Sequence, residues 1–300
     1  MKSYTSLRNL FGSLSQNTSV TNLTLADQLM NDSHRRYLEK YFFNEASTTI
    51  TTISQQQEYD LPYDYSLLKT GTLTIGSLKW TPTEILTRRE WDILNTMQLY
   101  ADIPNNYFIY NRKFALFPIP ATTGNTITFN YKKRVPDLSI ADYSTGTVAV
   151  TNNSNTVTGT GTTFLTNYLP TAGSVLNLNL WIQISPPKGS GNWYQISSIE
   201  SNTSFTLVNK YQDGTTTGAT YKIGQLPLLL EDYHDVLVFD ALCTYFSSIV
   251  DNKGKYQEFS SRRQEIEGRM NDYVNARSLN VNLARPKMGR NPNLYQINIG

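Results

Sequence analysis

Apolar residues recur at helical spacing at both ends of this chain and at strand spacing through its middle, and that double change of period constrains the fold more than any motif does. Leu7, Leu10, Phe11 and Leu14 fall at i, i+3, i+4 and i+7, which predicts a short amphipathic helix. Gly12 and the polar run to Thr21 are expected to end it. Asn22 or Thr24 then caps a second helix, with Leu25, Leu29, Tyr37, Leu38, Tyr41 and Phe42 as its apolar stripe. The helical period returns at Leu228 to Ile249, where Glu231 and Asp232 suit a helix N-terminus. Asp251-Asn252-Lys253-Gly254 reads as a stop signal. Lys255 to Arg277 follows, with Phe259, Ile266, Met270 and Tyr273 as its inner face. A short turn between two helices makes an antiparallel hairpin.

Between these ends the period is two. Thr48 to Ile53 is β-branched throughout, and Tyr59-Asp60-Leu61-Pro62 turns the chain. Leu67 to Ile75 and Leu78 to Thr81 form a hairpin around Gly76-Ser77. One helix interrupts, Thr87 to Gln98, with Thr87 as N-cap and Glu90 at the capping-box position. Tyr107 to Tyr110, Phe114 to Phe117 and Thr126 to Lys132 complete this β region. From Ser144 to Gly224 the chain becomes rich in Thr, Asn, Ser and Gly. Its strands are expected at 148–150, 156–158, 175–184, 193–199, 205–208 and 221–223. Short strands at regular spacing indicate a small barrel or sandwich. It reads as an insertion, because helical sequence resumes beyond it.

The expected fold class is therefore α+β. A helical bundle is drawn from residues 1–46 and 226–277, with a mixed β domain carrying one helix over 47–143. An inserted β-barrel or sandwich occupies 144–225, and 278–300 form an extended tail. That tail is rich in Pro and Asn, carries Arg285, Lys287 and Arg290 without an acidic side chain, and is not expected to build a core of its own.

Composition excludes several classes of function. Net charge is only +2, so no global electrostatic case for nucleic-acid binding exists. The single cysteine, Cys243, rules out an internal disulfide framework and a Cys-based zinc site, and its apolar neighbours predict a core thiol. No apolar run approaches the ~20 residues that span a bilayer, and the polar N-terminal sequence is not a signal peptide. The expectation is a soluble protein made in a cytoplasm, in which the sequons at Asn17, Asn22, Asn31, Asn152 and Asn202 arise by chance.

Catalytic chemistry is also missing, so no catalytic, cofactor-binding or metal residue is assigned and no cofactor is expected. The histidines, His34 and His234, each lie in a predicted helix without a second His or Cys at i+3 or i+4. Thr158-Gly159-Thr160-Gly161-Thr162-Thr163 lacks the Lys-Ser/Thr ending and helix start of a phosphate loop, and sits between strands. Glu231 and Asp232 fit a helix start, while Asp235 and Asp240 are five apart, off one face. A solvated face or a subunit contact is the expected role. Arg35-Arg36, Arg88-Arg89 and Arg262-Arg263 come as pairs on predicted helices. They are read as a solvated face with partners such as Glu258 for Arg262 and Glu267 for Arg263, or as contacts to an acidic subunit or DNA phosphates.

One ordered set of segments carries a resemblance. It comprises Leu25 to His34 (LADQLMNDSH), Gln57 to Asp64 (QEYDLPYD), Glu90-Trp91, Pro104-Asn105-Asn106-Tyr107, Leu116 to Ala121 (LFPIPA), Ile127 to Tyr131 (ITFNY) and Val135 to Leu138 (VPDL). After the insertion come Leu226-Pro227 and Tyr233-His234-Asp235. Together these resemble the head-to-tail adaptors, the neck or connector proteins of tailed bacteriophages, a class that includes tail tubular protein A-like proteins. The large insertion departs from the simplest of them.

The resemblance implies a structural virion protein, not an enzyme, made in the host bacterial cytoplasm. It implies a dodecameric ring below the portal that joins head to tail and extends the DNA channel used in ejection. Its partners would be the portal protein, further neck or tail proteins and copies of itself. Genomic DNA would pass through the lumen without sequence-specific binding, and no membrane is involved. Within the tail, Arg285, Lys287, Arg290, Leu294, Tyr295 and Ile297 are the expected portal or partner contacts, with acidic portal surface or confined DNA as the two acceptors for the cations. A second reading is another tail or baseplate protein whose β insertion contacts a glycan or receptor through Trp181, Trp193 and Tyr194. A glycan hydrolase is a third, and the missing chemistry speaks against it.

Overall fold

The structure, a computed structural model, describes residues 1–41, 45–75, 78–168, 179–248, 250 and 252–283. The chain opens with α1 (Tyr4–Ser15) and α2 (Val20–Tyr41). A β-rich body follows: β1 (Glu45–Thr51), β2 (Glu58–Asp60), β3 (Tyr65–Ile75), β4 (Leu78–Trp80), β5 (Thr83–Glu84), α3 (Arg88–Asn95), β6 (Tyr100–Ala101), β7 (Asn106–Tyr110), β8 (Lys113–Phe117), β9 (Ile119–Pro120) and β10 (Thr126–Lys133). The inserted block holds β11 (Thr147–Val150), β12 (Thr156–Thr160), α4 (Phe164–Tyr168), β13 (Leu180–Ile184), β14 (Trp193–Ser201), β15 (Ser204–Leu207), β16 (Thr216–Ala219) and β17 (Tyr221–Gln225). A single 3₁₀ turn, Glu231–Tyr233, leads into α5 (Asp235–Ser248), and α6 (Lys253–Leu283) closes the described chain.

The two ends do meet in one core. Leu7 and Phe11 from α1, Ala26, Met30 and Leu38 from α2, Val236, Leu237, Val238, Ala241 and Leu242 from α5, and Phe259, Ile266 and Met270 from α6 form a single buried cluster. Helix α1 continues through Gly12 to Ser15 and ends where Gln16 adopts φ 57°, so Gly12 does not break it. Helix α2 starts earlier than expected, at Val20, because Ser19 Oγ accepts the Asn22 N–H at 3.3 Å. Its inner face is Ala26, Met30, Ser33, His34, Tyr37, Leu38 and Tyr41. Leu25 and Leu29 pack only at the margin, and Phe42 lies outside the described residues. Gly254 falls inside α6, and Asn252 caps that helix by accepting the Lys255 N–H at 3.1 Å. The expected stop signal is therefore a helix start. Helix α6 runs six residues beyond Arg277, so 278–283 are helical.

Two four-stranded sheets build the first β body, in the orders β1-β10-β3-β4 and β2-β8-β7-β5. They share a core of Tyr59, Leu61, Tyr107, Phe114, Leu116, Ile127 and Phe129, where Phe114 and Phe129 meet edge to face at 4.4 Å. Strand β8 is buried on both faces. Phe114 and Leu116 point into that core, whereas Ala115 and Phe117 meet Trp91 of α3. Asn111 and Arg112, both at positive φ, make the two-residue turn between β7 and β8. Helix α3 is capped by Thr87 as expected and stops at Asn95, three residues early.

The inserted block is one seven-stranded sheet in the order β16-β11-β12-β15-β14-β13-β17. Its two edge strands, β16 and β17, are consecutive in sequence and separated only by Thr220. A sheet whose edges are joined by one residue must curl, and it does so into a half-barrel around Val157, Phe164, Leu180, Ile182, Phe205, Tyr211 and Ile223. No second facing sheet forms among the described residues of the block, which decides against a sandwich. Strand β16 and helix α4 were not foreseen, and residues 175–178 of one expected strand lie outside the described residues.

Candidate functional site

Polar groups concentrate where the bundle meets the half-barrel, and they fix how the parts are held. Asp240 is buried on α5. One oxygen accepts Ser33 Oγ at 2.6 Å and also pairs with Arg36, both from α2, while the other takes Arg263 of α6 at 3.1 Å. Glu267 continues the chain of charges, 3.7 Å from Arg263, and accepts the Tyr37 hydroxyl. Burial and the Glu267 carboxylate push the Tyr37 phenol far above its usual value. One carboxylate thus ties three helices that are up to about 200 positions apart in sequence. Asp240 is an internal clasp, not the solvated or subunit-facing acid that its spacing suggested.

Both histidines pin the segment that leaves the half-barrel. His34 Nε2 accepts the Leu228 N–H at 3.0 Å, so the proton resides on Nδ1. Burial, and secondarily the neighbouring His234, holds His34 down to about 3. His234 Nε2 donates to Leu229 O at 3.1 Å while its Nδ1 accepts the Lys2 N–H at 3.2 Å. Burial likewise lowers His234. Lys2 also grips Asp235 at 2.7 Å. Both imidazoles are therefore neutral connectors, and no group of three metal-ligating side chains occurs among the described residues.

Two amides hold the strand-to-barrel linker. Asn31 accepts the Leu138 N–H at 2.7 Å and donates to its carbonyl at 3.1 Å. Gln225 accepts the N–H groups of Ser139 and Ile140 at 2.8 and 3.0 Å and donates to Asp137 O at 2.8 Å. Neither was foreseen, because a lone amide in a helix or strand carries no periodic signal. The N-terminus seals the same seam. Ser3 Oγ donates to Asp142 at 2.9 Å, and Lys222 stands 3.6 Å from that carboxylate. The backbone closes tightly here, since a Cβ on Gly224 would sit 2.8 Å from the Ser3 Cβ.

The other predicted residues sort by environment. Arg262 pairs with Glu258 at 2.8 Å, Arg88 with Asp92 at 2.8 Å, and Arg35 with Asp32 and Asp137. Glycine repeats of the phosphate-loop lookalike form a turn packed backbone to backbone, where a Cβ on Gly146 would lie 2.4 Å from Thr160 O. Cys243 is buried, and desolvation raises its thiol. Trp181 and Trp193 sit on the outer face of the sheet, paired with Gln195 and Gln183, whereas Tyr194 pairs with Ile182 and packs on Tyr211. Trp181 and Trp193 therefore share a face, and Tyr194 lies on the opposite one. Arg285, Lys287, Arg290, Leu294, Tyr295 and Ile297 lie outside the described residues.

Several exposed apolar side chains fall close together in sequence around α3. Leu86 just before α3, Ile93 on it, and Met97, Leu99 and Tyr100 after it are all at least half exposed, with Leu86 at 81%. Trp91, 2% exposed, anchors this ledge by stacking on Phe108 at 5.5 Å. No helix among the described residues is long and apolar enough to cross a membrane.

Residues 2–157 match the family model described as SU10 adaptor protein. That stretch runs from the start of α1, through both sheets of the first β body, to the β11–β12 hairpin. Comparison with curated proteins finds no match.

Proposed function

The chain belongs to the SU10 adaptor protein family, and from that premise we propose that this bacteriophage structural adaptor forms a ring below the portal, joins head to tail and extends the channel through which DNA leaves. The ring is taken to be a dodecamer of the tail tubular protein A kind, assembled in the host bacterial cytoplasm and retained in the virion neck. The observation that carries this reading is the apolar ledge of α3. A helix held by one buried tryptophan, exposing Ile93 and flanked by the exposed Leu86 before it and Met97 after it, suits burial against a protein neighbour. The internally paired charges fit it too. Arg35, Arg36, Arg88, Arg262 and Arg263 are matched by carboxylates within the chain, which leaves those cations poorly placed to grip phosphates and suits a lumen that lets DNA slide.

Residues 284–300, with Arg285, Lys287, Arg290, Leu294, Tyr295 and Ile297, are proposed as the arm that engages the portal. Purified protein mixed with portal rings tests the reading by electron microscopy. Added density coaxial with the portal supports it, whereas portals that remain bare at saturating adaptor contradict it. A receptor-binding role for Trp181, Trp193 and Tyr194 is the weaker reading, because Tyr194 lies on the opposite face of the sheet from the two tryptophans.

A further inference from the structure

A small, mostly polar pocket of about 90 Å³ lies where three parts of the chain converge. Tyr63, Lys133 and Arg134 come from the first β body and its exit, Asn179 and Gln195 from the half-barrel, and Leu228 from the segment that leaves it. A water occupies about 30 Å³ in the liquid, so this space takes a group of only a few heavy atoms.

The charges around the pocket do not balance. Lys133 stands 3.8 Å from Asp64, whose other oxygen accepts the Tyr131 hydroxyl at 2.9 Å. Arg134 has no carboxylate within ion-pair distance among the described residues. Its Nε donates to Tyr65 O at 3.2 Å, which orients the guanidinium and leaves the terminal N–H groups without an acceptor. Two cations against one carboxylate leave a single positive charge. The neutral lining does not compete for it. Asn179 Oδ1 already accepts Trp181 Nε1 at 3.1 Å and Gln195 Nε2 at 3.2 Å, which uses both of its lone pairs. Burial, and secondarily Asp64, raises the Tyr63 phenol, so it stays an uncharged hydroxyl.

We propose that this pocket binds a carboxylate through the guanidinium fork of Arg134. Parallel N–H groups of a guanidinium match the two oxygens of a carboxylate. One carboxylate also cancels the surplus charge, whereas a phosphate monoester brings about −1.5 to −2. The site itself does not depend on the neck assignment. What rests on that reading is the source of the group: in the assembled neck, an Asp or Glu of a neighbouring protein fills the pocket.

Acetate titrated into the full-length free protein at constant ionic strength tests the site, read by NMR at the side-chain amides of Asn179 and Gln195. A saturable shift at both amides is the expected result. It should vanish in Arg134→Gln, shown folded by circular dichroism, and weaken roughly tenfold in Arg134→Lys, which keeps the charge but loses the fork. Shifts that never saturate, or that persist in Arg134→Gln, overturn the site. Equal affinity in Arg134→Lys contradicts the fork even if the glutamine variant fails to fold. Phosphate that binds the same amides more tightly than acetate overturns the choice of carboxylate. With no partner in the sample, failure here leaves the neck assignment standing, and portals that stay bare leave the site standing.

Discussion

Asp240 of α5 and Arg263 of α6 meet at 3.1 Å inside the helical bundle, and the carboxylate is 3% exposed. Arg36 and Ser33 of α2 bind its other oxygen. Replacing Asp240 with Ala would strand two arginines around an empty site. Breaking a buried pair from one side costs several kcal/mol, and the exposure of Arg36 places this case near the low end, at about 3 kcal/mol. Denaturant unfolding should show that loss in the midpoint, and an effect below about 0.5 kcal/mol, the range of an ordinary surface substitution, would mean that the clasp is not structural.

The histidines predict an acid-sensitive bundle. His34 takes up a proton only near 3 in the folded chain but near its ordinary 6.5 when unfolded. Unfolding therefore binds a proton throughout that window. Stability should be intact above 6.5 and fall as the pH drops toward 3, by about 1.4 kcal/mol per pH unit for each such proton. His234, also lowered by burial, steepens the slope. Urea unfolding at pH 7 and pH 5 measures it, and His34→Gln should remove one proton from the dependence. A wild-type slope that is flat over this range would refute the assignment.

Gly224 has no room for a side chain. Its Cβ would approach Asp142 Oδ1 and Ser3 Cβ, each at 2.8 Å. Gly224→Val should lift the N-terminus of α1 from the half-barrel and cost about 1–3 kcal/mol, as overpacking does. Earlier melting, with faster proteolysis before Tyr4, is the expected signature.

Gln225→Leu tests the linker clamp. The substitution keeps the volume but leaves the Ser139 and Ile140 N–H groups without their shared acceptor. A stranded buried donor costs about 1–3 kcal/mol. Hydrogen exchange at these two amides should accelerate while strand β17 stays protected. Unchanged exchange there would show the clamp to be incidental.

How much of this was legible depended on whether the signal was periodic. Helix α1 was readable because Leu7 and Phe11 alternate with polar positions at helical spacing. The stripe of α2 was legible in Tyr37, Leu38 and Tyr41, but not in Ser33 and His34 on the same face, whose partners Asp240 and Leu228 lie about 200 positions away. Strands β7 and β8 were placed well, yet β8 packs on both faces, and only the position of α3 reveals that. The half-barrel was recognisable from its short strands. Its closure was not, since it depends on β16 and β17 becoming opposite edges. Asp240 looked like a surface acid for the same reason: a buried ion pair between remote segments leaves no local trace.

The neck assignment is tested most directly by electron cryomicroscopy of intact virions. The account predicts ring density coaxial with the portal, between head and tail, into which the four-helix bundle and its half-barrel fit in repeated copies. Density for this chain confined to the baseplate or fibres, or its absence from the particle, would contradict it.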